Sequence, residues 1–283
     1  MIIIADSGST KCDWAVVDGK KEVLKIRTAG INPRLISETE INNIINGSNE
    51  LEFIKDKIYE VCFYGAGCAS EKSKNSIKSI LKKYFNNAKN VLVKEDLSAA
   101  VFGTTTEAGV VCILGTGSNC CYFDGKEIHV KQASLGYSVM DEGSGNYFGK
   151  KLLNAYFYNK MPLELHEKFK KSFDLSLESV LKGLYENENP SAFLASFASF
   201  LIKNKSEPYI MDIIRKGIKE LFSNLIMCYK EELKTKRLYF VGSIAYYLQV
   251  EIIEEAKNRN ISVRSFVRRP IDNIIENMKT IDS

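Results

Sequence analysis

Histidine is nearly missing from this chain: His129 and His166 are the two among 283 residues. Triads and metal centres built on imidazole need a histidine base or several nitrogen ligands, so neither is expected. Both histidines are read as surface or packing residues. No apolar run approaches the roughly 20 residues that cross a bilayer, and no membrane span is expected. The first residues carry no basic leader before a long apolar stretch, so no signal peptide is read. Charge of one sign is also lacking. Lys and Arg number 39 against 35 Asp and Glu, a net +4, and no basic block stands out except Arg268-Arg269. Nucleic acid is therefore not implied as a partner. The seven cysteines (Cys12, Cys62, Cys68, Cys112, Cys120, Cys121, Cys228) show no C-x-x-C spacing. Most stand in apolar runs, as small buried thiols do, which reads as a reduced, cytoplasmic protein without structural zinc.

Three nucleotide-handling signatures are absent as well. There is no G-x-x-x-x-G-K-[ST], which excludes a P-loop NTPase. Gly143-Ser144-Gly145 has no third glycine at Rossmann spacing, and no H-R-D or D-F-G set of a protein kinase occurs.

What is present is a globular composition, 45% apolar and 26% charged, long enough for one large domain or two modest ones. The chain opens on the apolar run Ile2-Ile3-Ile4-Ala5, which reads as a short buried strand. It delivers Asp6, Ser7, Gly8, Ser9, Thr10 and Lys11 to a bend before a second strand at Trp14–Val17. Glycine lets backbone N–H groups approach a phosphate, and successive N–H groups in a tight bend form an anion-binding concavity. Asp6 stands where a hydrated Mg²⁺, which prefers oxygen ligands, would bridge phosphate oxygens. An ordinary hairpin with a polar turn remains the plainer reading.

The pattern then recurs. IIIADSGST…VVDGKK and VCILGTGSN…YFDGKE share one order: strand, glycine-hydroxyl bend, strand, D-G-K turn, strand. The second bend is Gly115-Thr116-Gly117-Ser118-Asn119. We read an internal duplication, one phosphate loop per domain. Between the copies, Ser37 and Glu40 form a capping box for a helix to about Asn46. A strand over Lys57–Tyr64 ends in Gly65-Ala66-Gly67-Cys68. A helix capped by Ser70 runs to Tyr84, and Val91–Val93 is a strand leading to Glu95-Asp96. Leu97–Phe102 continues as a helix, and Gly103–Gly109 reads as a hinge. After the second copy, Asp141-Glu142-Gly143-Ser144-Gly145 leads a helix from about Asn146 to Tyr158. Helices follow over Pro162–Lys171, Leu177–Tyr185, Ser191–Ile202 and Tyr209–Leu233. The strand Lys236–Val241 ends in Gly242-Ser243-Ile244-Ala245 before another helix to about Asn258. Ser262–Val267 is the last strand, and Pro270 opens a final helix to Lys279. This inventory of small and hydroxyl residues at strand ends, with acids at Asp6, Asp96 and Asp141, suits phosphoryl transfer, where positioning and charge stabilisation dominate.

These ordered motifs resemble the superfamily of acetate and sugar kinases, heat-shock chaperones and actin. Within it, the chain is similar to the BadF/BadG/BcrA/BcrD-type group, and specifically to bacterial N-acetylglucosamine kinase-like proteins. Asp6–Lys11 looks like the first phosphate motif and Gly115–Asn119 like the second. Gly65–Gly67 is similar to the first connecting segment, and Gly242–Ala245 to the adenosine-binding turn. The resemblance implies an α/β protein of two ribonuclease-H-like domains, with ATP and Mg²⁺ in a cleft between them. The domains are expected at 1–106, completed by a C-terminal helix over 270–283, and at 107–269, with a helical insertion. It also implies a homodimer, for which Tyr147–Tyr158 offers an aromatic-rich surface.

Roles follow from the resemblance in the same way. Asp6 would serve the metal. Gly8, Ser9, Thr10, Lys11, Gly115, Thr116, Gly117, Gly242, Ser243 and Ala245 would serve the nucleotide. Asp96 resembles the aspartate that takes the proton from the attacking sugar hydroxyl, and it is equally placed to cap the helix behind it. Asn32, Gly67, Ser118, Asn119 and Asp141 would face the sugar; turn asparagine and loop aspartate are the plain alternatives. Lys11 either neutralises phosphate oxygens or lies on the solvent side of the bend. Two positions depart from the family pattern: Met140 stands where glycine is common, and Leu135 replaces an aromatic that some members bring to the sugar. Both departures lie on the sugar side. The implied activity is ATP-dependent phosphorylation of an amino sugar, most plainly N-acetylglucosamine. The alternatives are an ATPase activator of a dehydratase and a non-catalytic, actin-like nucleotide binder.

Overall fold

The computed structural model describes residues 1–19, 21–187 and 189–274. They fall into two compact units, Met1–Gly103 with Arg269 onward, and Thr104–Arg268.

Unit one is built on a five-stranded mixed sheet. Its strands are β1 (Ile2–Ser7), β2 (Lys11–Asp18), β3 (Lys21–Ala29), β4 (Glu60–Gly65) and β5 (Asn90–Glu95), in the order β3-β2-β1-β4-β5. The hairpin pairs β1/β2 and β2/β3 are antiparallel, whereas β1/β4 and β4/β5 are parallel. Helices α1 (Glu38–Asn46), α2 (Asn49–Ile54), α3 (Glu71–Tyr84) and α4 (Asp96–Phe102) complete the unit. The opening apolar run is explained by burial on both faces, since alternate strand residues point opposite ways. Ile3 and Ala5 join Trp14, Phe63 and helix residues such as Ile41 and Ile77. Ile4 turns the other way, into a cluster with Ala15, Cys62, Ala99, Ile271 and Ile274. The last two belong to a helix that starts at 270; the expected remainder, to Lys279, lies outside the described residues. Because Ile271 is only 2% exposed, Ile271→Ala should cost about 2–4 kcal/mol. A shift of the urea midpoint at unchanged slope would register it.

Unit two repeats the plan. Its sheet holds β6 (Gly109–Leu114), β7 (Ser118–Phe123), β8 (Ile128–His129), β9 (Arg237–Val241) and β10 (Val263–Val267), in the order β10-β9-β6-β7-β8. Again an antiparallel meander leads and two parallel strands follow. The D-G-K turn works through Asp124, whose Oδ1 accepts the N–H groups of Lys126 at 2.7 Å and Glu127 at 2.8 Å. Its helices are α5 (Gly145–Phe157), α6 (Leu163–Ser172), α7 (Leu177–Tyr185), α8 (Pro190–Ser196), α9 (Ala198–Lys203), α10 (Pro208–Asn224), α11 (Ser243–Tyr247) and α12 (Gln249–Asn258). The duplicated topology makes the chain an α/β protein of two ribonuclease-H-like halves, the actin-like ATPase fold.

Several elements depart from the sequence reading. The strand expected from Lys57 starts at Glu60, behind a 3₁₀ turn over Lys55–Lys57, and Ser48 caps the unforeseen α2. The strand expected after the second D-G-K turn is confined to Ile128–His129, because the Lys131 N–H leaves the ladder for the Tyr229 hydroxyl at 3.2 Å. The helix expected over Tyr209–Leu233 ends at Asn224 and tightens into 3₁₀ turns. Those turns carry Tyr229 into the core, where its hydroxyl donates to the Cys120 carbonyl at 2.7 Å. Ser191–Ile202 divides at Phe197, which is buried among Phe169, Phe173 and Phe193. Among the described residues no helix is long and apolar enough to cross a membrane.

Candidate functional site

In unit one the parallel strands end together. Asp6 pairs with Tyr64 and Tyr64 with Lys94, so Asp6, Gly65 and the pair Glu95-Asp96 reach the same end of the sheet. The space beyond the carboxyl ends of parallel strands is where α/β sheets bind ligands. After Asp6 the chain bends, and the Gly8 N–H donates to the Lys11 carbonyl at 3.0 Å. The buried Ser7 hydroxyl holds a second segment against the bend, accepting from the Ile31 N–H at 2.8 Å. Asn32 continues this contact, its amide donating to Ser9 Oγ at 2.9 Å while its Oδ1 accepts the Arg34 N–H at 3.0 Å. Gly67 has φ +79°, and a Cβ there would stand 2.2 Å from Asn32 Oδ1. The bend, Asn32 and the Gly65–Cys68 loop therefore form one cluster.

The acids of this cluster have unusual proton affinities. Burial, then the charge of Asp96, then that of Asp13 raise Asp6 to about 7, against the pull of Lys11. Asp96 is also raised to about 7, by burial first and the neighbouring Glu95 second, against the Leu97 N–H and Arg34. Asp96 is not the cap of α4: Glu95 occupies that position, and Asp96 is the first helical residue, its Oδ1 accepting the Leu97 N–H at 3.0 Å. Glu95 is partly buried, and burial raises its pKa against Arg34 and Lys74. Lys11 is exposed and pairs with Asp13 at 3.4 Å, and Asp13 also takes Arg27 at 2.6 Å. Among the described residues no group of three or more metal-binding side chains occurs. The buried Asp6 carboxylate nevertheless fits Mg²⁺, which is commonly held by one or two carboxylates and keeps several of its waters.

The raised acids predict a pH signature. A carboxyl whose folded pKa exceeds its unfolded value, near 3.9, favours the folded state fully in acid and loses that contribution as pH climbs through the folded pKa. Stability should therefore fall between about pH 4 and pH 7. Asp6→Asn should be more stable than the natural chain by about 4 kcal/mol at pH 8 and nearly equal to it at pH 4. Thermal melts at the two pH values, without divalent ions, check this; a gain that is the same at both would refute it.

Unit two carries the second loop, and Asp141 organises it. Asp141 is 7% exposed and holds φ +74°. Its Oδ1 accepts the Ser118 N–H at 3.1 Å and its Oδ2 accepts Asn146 Nδ2 at 2.7 Å. The start of α5 grips the same loop, Gly145 N–H donating to the Gly115 carbonyl at 2.8 Å and Asn146 N–H to the Thr116 carbonyl at 2.9 Å. Gly117 lies against the Asp141 carboxylate. Gly242 has φ +116°, and a Cβ there would stand 2.5 Å from the Leu114 carbonyl oxygen, so the turn Gly242–Ala245 sits directly on the loop. Asn119 Oδ1 accepts the Cys120 N–H at 2.9 Å. The Ser118 hydroxyl is buried without a hydrogen-bond partner among the described residues, an atom that suits a ligand's polar group.

Each set of candidates thus assembles within its own unit. Asp6, Gly8, Ser9, Thr10, Lys11, Asn32, Gly67 and Asp96 belong to unit one. Gly115, Thr116, Gly117, Ser118, Asn119, Asp141, Gly242, Ser243 and Ala245 belong to unit two. Sequence reasoning overlooked Asn146, Arg34 and Gly30. Asn146 is fully buried and also donates to Ser191 Oγ at 3.1 Å. Gly30 approaches the Gly8 carbonyl so closely that a Cβ would stand 2.4 Å away. The break Gly30-Ile31-Asn32-Pro33 was a signal for that approach, whereas nothing local marks Asn146.

No protein-family model matches the chain, and no curated protein matches it. Solved structures do. A proposed N-acetylglucosamine kinase from Porphyromonas gingivalis is similar over 100% of both chains, at 28% identity and a TM-score of 0.91. A second proposed N-acetylglucosamine kinase, from Chromobacterium violaceum, is similar over 98% of both chains at 11% identity and a TM-score of 0.73. A ROK family glucokinase from Streptomyces griseus, solved in complex with glucose and AMPPNP, has a TM-score of 0.56 at 13% identity, over 99% of this chain and 98% of the other. The fold is thus that of the sugar kinases and actin-like ATPases.

Proposed function

We propose that this protein is an ATP-dependent kinase that phosphorylates a hydroxyl of an amino sugar, N-acetylglucosamine being the first candidate, and that it falls in the BadF/BadG/BcrA/BcrD-type group. The single observation that carries this is the pair of raised carboxyls, Asp6 and Asp96, delivered beside a hydroxyl-rich bend at the carboxyl end of a parallel sheet. The extended likeness to the P. gingivalis protein supports the choice of sugar.

Asp96 is the general base. With a pKa of about 7 it accepts a proton at neutral pH without being a permanently bare carboxylate. Asp6 would hold Mg²⁺, which when bound neutralises charge on the phosphates. The bend Gly8–Lys11 supplies N–H groups and hydroxyls for phosphate oxygens, and Gly115–Gly117 does the same in unit two. Gly242, Ser243 and Ala245 receive the adenosine. Asn32, Gly67, Ser118, Asn119 and Asp141 orient the sugar. Asp141 does so while latching its own loop, since each oxygen retains a further lone pair.

The activator alternative is disfavoured by the thiols. The resemblance implies that such an activator holds an iron–sulfur cluster between two subunits through cysteines, which must be accessible, and six of the seven here are buried. Turnover separates kinase from passive nucleotide binder. An assay of ADP release with Mg²⁺ should show rates well above background with N-acetylglucosamine, and little ADP without sugar. Equal ADP release with and without every sugar tried would sink the proposal.

A further inference from the structure

A groove between α5 and α10, within unit two, carries chemistry that the proposed reaction leaves unused. It encloses about 320 Å³, at the lower end of volumes that hold small molecules. Three tyrosines, Tyr147, Tyr158 and Tyr209, and three lysines, Lys151, Lys160 and Lys216, line it. Its acids are already committed. Asp212 pairs with Lys216 at 2.6 Å, and Glu220 accepts the hydroxyl of Tyr147. Lys151 and Lys160 have no acidic partner among the described residues. Each lies over a ring instead, 4.9 Å from Tyr147 and 5.4 Å from Tyr158. Tyr158 is 68% exposed.

Tyrosine rings beside ammonium groups that lack acidic partners match a ligand that has a ring body and an anionic group. Tyrosine also offers a hydroxyl to a polyol, which a purely apolar groove would not. We infer that this groove binds a phosphorylated sugar, its ring against Tyr158 and Tyr209 and its phosphate at Lys151 and Lys160. The choice of a sugar phosphate rests on the kinase reading, because that is the class of product the reaction would release. The groove is wired to the second loop. Tyr147 directly follows Gly145 and Asn146, whose N–H groups hold the Gly115 and Thr116 carbonyls. Across the groove, Gly217 of α10 sits against the rings of Tyr147 and Phe148. A ligand here bears on the first turn of α5 and hence on the loop.

The test is a titration of the full chain carrying fluorotyrosine, followed by fluorine NMR, in the absence of nucleotide. The Tyr147, Tyr158 and Tyr209 resonances are assigned by single Tyr→Phe substitutions. The probes are N-acetylglucosamine 6-phosphate, inorganic phosphate and N-acetylglucosamine. The sugar phosphate should move the Tyr158 and Tyr209 resonances with a Kd of about 0.1–1 mM. Inorganic phosphate should bind at least about tenfold more weakly, and the unphosphorylated sugar should leave both resonances in place. The surface variant Lys151→Gln/Lys160→Gln should weaken the response about tenfold or more and leave basal turnover unchanged. Unmoved Tyr158 and Tyr209 resonances, or an unchanged response in the double variant, would overturn the inference. An equal response to inorganic phosphate would also overturn it, leaving a bare anion patch. So would ligand-free shifts that track protein concentration together with dimer in sedimentation, because a second copy would then fill the groove. A normal tyrosine response in a chain without kinase turnover would uphold the groove and defeat only the kinase reading.

Discussion

Asp96→Asn should lower the turnover number by about 10²–10⁴, the usual loss for a positioned general base, with little change in either KM. Asparagine matches the shape of aspartate and retains an oxygen for the Leu97 N–H, now bonded at 3.0 Å. It cannot accept a proton. The proton shift belongs to the transition state, so substrate affinity should be nearly untouched. In the natural chain kcat/KM should rise with pH through about 7, where Asp96 ionises. The variant should lose that limb. Near-normal turnover would reduce Asp96 to a first-turn residue of α4.

Asp141→Asn should act through the second loop. Asparagine tolerates the left-handed φ at this position, so the backbone should survive. The side chain would not be accommodated so well. Its Oδ1 can still accept the Ser118 N–H, but its amide would confront Asn146 Nδ2, which now donates to Asp141 Oδ2 at 2.7 Å. Turning Asn146 over would require the Ser144 and Ser191 hydroxyls, now partners of its Oδ1 and Nδ2, to exchange donor and acceptor roles as well. Losing a charge-assisted bond and leaving a buried donor unpaired should cost about 1.5–3 kcal/mol of stability. The apparent sugar KM should rise by the corresponding factor, about 10–150-fold, and the KM for ATP should rise with it as the loop loosens. An increase confined to the sugar, at unchanged stability, would make Asp141 a sugar ligand and not a latch.

Much of this architecture was legible in the residues. Alternation and the two D-G turns mark both hairpins, and the repeated order of bend and turn announces the duplicated sheet. The Ser37/Glu40 capping box is formed as read. What escaped reading depends on distant partners. Nothing near Leu225 says that α10 stops there; the break follows from Tyr229 reaching Cys120, 109 positions earlier. Asn146 looks like any early helix residue until Asp141 and Ser191 close around it. Asp96 looked like a cap because aspartate favours that position, but the helix starts one residue sooner, with Glu95 as its cap. The raised acids were also hidden, since burial sets their proton affinity and a local string of letters does not encode it.

Phosphorus NMR of one reaction mixture tests the central claim most directly: the protein, ATP, Mg²⁺ and N-acetylglucosamine, followed over time. The account predicts a new sugar phosphomonoester that accumulates one for one with ADP, and no such signal when Asp96→Asn replaces the natural chain. ADP and inorganic phosphate without a sugar phosphomonoester, or ATP left intact, would contradict it.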